Sequence, residues 1–70
     1  MNSIDDFNRG DKIRIILLDD TFLNIDYKGK EGIIESINYV DNFIKGTWGP
    51  IELYPEYDDI KIIEHYDRNS

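Results

Sequence analysis

Lys12-Ile13-Arg14-Ile15-Ile16-Leu17-Leu18 is the stretch on which the fold turns. Ile13, Ile15 and Leu17 recur at period two on one face, opposite Lys12, Arg14 and Ile16, which is the pattern of a strand with one side in the core. The β-branched content and the Gly10-Asp11 pair just before it favour a strand over a helix. Moving outward, Gly32-Ile33-Ile34-Glu35-Ser36-Ile37-Asn38-Tyr39 is a second strand whose phase slips, because Ile34 and Ile37 stand three apart. Both can face inward only if a β-bulge near Glu35-Ser36 absorbs one residue, and such a bulge is how a strand bends to close a barrel.

Val40-Asp41-Asn42 reads as a short turn. Phe43-Ile44-Lys45-Gly46-Thr47-Trp48 follows as a strand with Ile44, Gly46 and Trp48 on one face. Gly49-Pro50 is a turn signal, Ile51-Glu52-Leu53-Tyr54 alternates again, and Pro55-Glu56-Tyr57-Asp58 has the make-up of a single 3₁₀ turn. Ile60-Lys61-Ile62-Ile63-Glu64 is the last strand, with Ile60 and Ile62 inward, and residues 65–70 read as a frayed tail. Residues 19–29 lack sustained alternation, and a long excursion of that kind in a small domain is a place to look for function.

No ten-residue amphipathic helix, internal repeat or low-complexity linker interrupts this series. Five short strands joined mostly by tight turns must be antiparallel, and closure protects their edges. The expected fold is therefore all-β: one domain over residues 1–70, with its core at about 10–64, forming a small five-stranded antiparallel SH3-like barrel with a short 3₁₀ turn before the last strand. A small OB-like barrel has a similar strand count, but it usually runs longer and carries a helix. Seventy residues supply one core and no more.

Fifteen acids against eight bases give a formal net charge of -7. That balance opposes non-specific binding to nucleic acid or anionic membranes, which depends on Lys and Arg neutralising phosphate. Cysteine is absent, which removes disulfides and thiolate metal sites and fits a reducing compartment. No apolar run approaches the roughly 20 residues of a membrane span, and Met1-Asn2-Ser3-Ile4-Asp5-Asp6 is acidic where a signal peptide is basic, so the expected setting is cytoplasmic. At 40% hydrophobic and 13% aromatic the chain has the composition of a folded domain.

Catalytic material is thin: His65 is the one histidine, and the serines are Ser3, Ser36 and Ser70. No enzyme activity, cofactor or metal is expected. The acid pairs Asp19-Asp20 and Asp58-Asp59 lack the Asp-x-Asp-x-Asp-Gly spacing of a calcium loop and read as solvated turn acids. The aromatic set points elsewhere. Phe22 and Tyr27 sit in the acidic loop, Trp48 ends a strand, and Tyr54 and Tyr57 flank Pro55-Glu56. Flat rings bordered by acids can take the proline faces and basic residues of a peptide. The candidate binding face is Asp19, Asp20, Phe22, Asp26, Tyr27, Trp48, Tyr54 and Tyr57, with a core position for Trp48 and Tyr57 as the competing reading.

Gly10-Asp11-Lys12-Ile13-Arg14-Ile15 is similar to the opening of many SH3-like translation-factor domains, and Gly29-Lys30-Glu31-Gly32-Ile33-Ile34-Glu35-Ser36-Ile37 resembles their glycine-centred KOW element. With Ile44-Lys45-Gly46-Thr47-Trp48 and Leu53-Tyr54-Pro55, the order resembles a domain-of-unknown-function family of short barrels from Gram-positive bacteria and their phages and mobile elements, over roughly residues 10–63. The resemblance implies an SH3-like barrel and no known activity. Gly46 departs from it, standing where an apolar inward residue is usual.

The leading expectation is a non-catalytic module that binds a basic or proline-containing segment of another protein; nucleic acid and membrane are not expected partners, and a monomer is the default. One alternative is an acidic mimic of nucleic acid that occupies a basic site on a DNA- or RNA-handling enzyme. Another is a KOW-like nucleic-acid-binding module using Lys12, Arg14, Lys28, Lys30 and Lys45, although Asp11, Asp26, Glu31 and Glu35 beside them largely cancel that charge.

Overall fold

Strands form where the period-two pattern places them: β1 (Lys12–Leu17), β2 (Glu31–Asn38), β3 (Phe43–Gly46), β4 (Gly49–Leu53) and β5 (Asp59–Glu64). The computed structural model describes residues 3–66, so residues 67–70 of the expected tail lie outside the described residues. All pairings are antiparallel, and the sheet runs β4-β3-β2-β1-β5, with β4 and β5 as its edges.

β2 is shared between two halves of the sheet. Its first three residues pair with β1, and the stretch from Ile34 onward pairs with β3. Between Ile34 and Ser36 the register shifts, at the place the phase slip requires. The extra residue lets Ile34 be buried and Ile37 still pack against the core. Ile13, Ile15, Ile34, Ile44, Leu53 and Ile60 form the centre of that core.

Several expectations are corrected. Leu17 is half exposed, because the β1–β5 register shifts between Ile15 and Leu17, and Leu18 takes the inward place. The core also extends beyond its expected N-terminal limit. Ile4 and Phe7 are buried, held by a 3₁₀ turn (Ile4–Asp6) whose Ser3 hydroxyl accepts from the Asp5 amide while the Ser3 amide donates to Asp6.

Inside the 19–29 segment lies a helix, α1 (Thr21–Tyr27), so the chain is mostly rather than wholly β. Asp20 caps it, its Oδ1 accepting from the amides of Phe22 (2.9 Å) and Leu23 (3.1 Å). Asn24 Oδ1 accepts from the Leu18 amide at 2.9 Å and ties the helix to the end of β1.

The β3–β4 turn is Thr47-Trp48, with Gly46 opposite Gly49, and Gly49-Pro50 opens β4 instead of forming the turn. A Cβ on Gly46 would lie 2.0 Å from the Ile33 carbonyl oxygen and 2.6 Å from the Trp48 ring. The indole therefore supplies the inward bulk that residue 46 lacks. Before β5, Tyr57 and Asp58 both donate their amides to the Tyr54 carbonyl (2.9 and 2.7 Å), so that segment is a tight turn, while the regular 3₁₀ turn stands at the N-terminus.

Candidate functional site

Asp58 organises one corner of the molecule. Only 8% exposed, it accepts from the Asp19 amide through Oδ1 (2.9 Å) and from the Tyr54 amide through Oδ2 (2.8 Å). Charge-assisted bonds of this kind offset the cost of burying a carboxylate. They fasten the start of the α1 segment to the β4–β5 turn. Between the two lies a groove of about 220 Å³. Leu18, Leu23 and Ile51 give it apolar lining, Tyr54 and Tyr57 give it rings, and Asp19, Asp20 and Glu52 give it charge.

The Tyr54 and Tyr57 centroids are 6.5 Å apart with planes inclined at 53°, and Phe43 packs edge-on against Tyr54 at 5.7 Å. Tyr54 donates its hydroxyl to Glu52 Oε2 at 2.8 Å. That bond, followed by desolvation and the negative charges of Glu52, Asp41 and Asp58, holds the Tyr54 phenol above its ordinary pKa.

Of the eight residues singled out from sequence, four meet here: Asp19, Asp20, Tyr54 and Tyr57. Tyr57 is a surface residue, 69% exposed. Trp48 leaves the binding face, since it is 4% exposed, belongs to the core, and donates its indole N–H to the Ile51 carbonyl at 3.0 Å. Tyr27 is half-buried against the core with Lys30 Nζ 5.4 Å from its ring centroid. Phe22, 82% exposed, and Asp26 stand on α1 but do not line the groove.

Leu18, Leu23, Ile51, Glu52 and Asp58 were missed as site residues. Asp58 is not the solvated turn acid its neighbourhood suggests, because its partners lie across the fold. The signal available for Leu23 was the Asp20-Thr21 helix start just before it.

A second buried acid, Asp11, also departs from expectation. It accepts from the amides of Asn8 (3.0 Å) and Tyr66 (2.9 Å), and His65 Nδ1 lies 3.6 Å from its Oδ2. Lys12 and Arg14 converge on Glu31, with Arg14 Nε 2.8 Å from Glu31 Oε2, and chiefly the Arg14 hydrogen bond holds the Glu31 carboxyl below the usual range. Among the described residues no three His, Cys, Asp or Glu side chains are grouped to hold a metal ion, and no helix is long and apolar enough to cross a membrane.

Two other hollows offer less. One, of about 480 Å³, lies against the N-terminal turn and β5; its one aromatic neighbour, Phe7, is fully buried, and Lys61 accompanies Asp6 and Asp59. The other pairs Arg9 with Glu35 beside Tyr66. Comparison with protein-family models, with curated proteins and with solved structures finds no match.

Proposed function

We propose that this chain is a non-catalytic protein-interaction module on an SH3-like small barrel, which takes a basic or proline-containing segment of another protein in the groove between α1 and the β4–β5 turn. The strand order and the bulged β2, shared between β1 and β3, support the barrel reading. One observation carries the function: two tyrosine rings and three rim carboxylates share a groove with no Lys, Arg or His in its lining. Rings receive proline faces at little cost in ligand entropy, and the acids steer a basic partner. At about 220 Å³ the groove falls below the roughly 300–1,000 Å³ of small-molecule sites, which suits one or two side chains of a peptide. This reading drops Trp48 and needs neither Phe22, Asp26 nor Tyr27. A cytoplasmic setting is part of the same proposal.

The test is an amide-shift titration of the isotope-labelled protein with a blocked peptide of repeated Pro-Pro-Arg. Shifts are expected at Asp19, Leu23, Ile51, Glu52 and Tyr57, weakening as salt screens the rim. No shift at millimolar peptide in low salt, or shifts centred on Asp11 instead, would overturn the proposal.

A further inference from the structure

We infer that the groove is keyed to a single arginine of the bound segment, its guanidinium placed against the Tyr54–Tyr57 ring pair and within reach of Asp19, Asp20 and Glu52. The inference rests on the reading of the groove as a peptide site. It comes from an inventory of what the lining residues have left to give.

Asp58 is committed to the fold, since it is buried and each of its oxygens accepts a backbone amide. Asp20 spends Oδ1 on the first turn of α1 and keeps Oδ2. Glu52 spends Oε2 on the Tyr54 hydroxyl and keeps Oε1. The Asp19 carboxylate accepts no hydrogen bond among the described residues, although its backbone amide is held by Asp58. Four carboxylate oxygens in the lining of one small groove thus have no donor among the described residues. None of the three acids has a Lys, Arg or His in ion-pair range among the described residues, whereas Glu31 has Lys12 and Arg14, and Asp11 has His65.

The complementary group carries positive charge and several N–H donors. Proline has neither. An ammonium has three donors but is compact and strongly hydrated, so it gives up more water on entering. Guanidinium has five donors in a plane, forks onto carboxylates and lies flat on aromatic faces. Two inclined rings, one reachable from solvent and the other held by Glu52 and Phe43, provide those faces.

Three blocked peptides, identical except for a central arginine, lysine or citrulline between proline pairs, separate the possibilities. Citrulline keeps the planar shape and loses the charge. The arginine peptide should bind tightest, with lysine several-fold weaker and citrulline about ten-fold weaker or worse, in keeping with the worth of hydrogen bonds to charged groups. Tyr57→Ala, at an exposed position, should weaken the arginine peptide by about two- to five-fold and narrow its margin over lysine. A thermal melt of that variant matching the parent shows the loss is not unfolding. Equal binding of all three peptides in the groove, or equal binding of arginine and lysine, would overturn the arginine key while leaving the peptide site standing. If none of the three shifts the groove amides, both fail.

Discussion

Asp11 and Asp58 are the same device used for two ends. Each is a buried aspartate accepting two backbone amides: Asp11 those of Asn8 and Tyr66, Asp58 those of Asp19 and Tyr54. Each joins segments far apart in sequence. Around Asp11, His65 lies alongside, Tyr66 sits so close that a Cβ on Gly10 would lie 2.7 Å from its ring, and the neighbouring hollow sets the base Arg9 beside the acid Glu35. Around Asp58 the surface opens into a groove with an exposed ring and unmatched acids. Burial of a carboxylate therefore does not mark the binding corner. On the function proposed above, unspent hydrogen-bonding capacity beside it does.

If the two aspartates are structurally equivalent, removing either should cost about the same. Asp58→Ala and Asp11→Ala each remove the acceptor of two part-buried amides, at up to about 1–3 kcal/mol per group before water or relaxation compensates. A loss of about 2–4 kcal/mol is expected for each, against the roughly 3–5 kcal/mol a core of this size supplies. Urea unfolding of both variants checks this. A large loss in one and none in the other breaks the comparison.

The smallest effects are in pH dependence, and they separate the groove from the outer face of the sheet. Tyr54 is an acid whose folded pKa is raised, so its contribution is complete below its ordinary value of 10.0 and is lost as pH rises through the raised value. Glu31 is the reverse: its contribution is present above the ordinary 4.5 and is lost as pH falls through the lowered value. Both groups are exposed, so the slopes are shallow. Melting temperature followed against pH should lose its alkaline slope in Tyr54→Phe and its acid slope in Glu31→Gln, and an unchanged profile in either variant removes that interaction from the account.

The strands were legible because period-two runs of Ile leave few alternatives, and the bulge was legible because Ile34 and Ile37 cannot share a face without it. Helix α1 was not. Its stability comes from the side chains of Asp20 and Asn24 bonding to backbone, and Phe22 and Ile25 point away from the core, so no apolar stripe announces it. The place of Trp48 depends on the space over Gly46, a relation across a hairpin that neither residue reveals alone. Asp19, Asp20, Tyr54 and Tyr57 were found from residue type. Asp58 was misread because the amide that distinguishes it from a turn acid belongs to Asp19, on the far side of the chain.

The most direct test of the central proposal, that the Asp58 corner takes the peptide and the Asp11 corner does not, is the affinity of the central-arginine peptide for Asp58→Asn and Asp11→Asn, measured under conditions where both variants are folded. Asparagine keeps the side-chain size and one acceptor but puts N–H groups where the second amide needs an oxygen, so one tie at each corner is lost. Asp58→Asn should bind about two- to ten-fold more weakly, as expected for loosening one such bond in the groove wall, and Asp11→Asn should bind like the parent. Equal weakening in both variants, or weakening in Asp11→Asn alone, would contradict the claim.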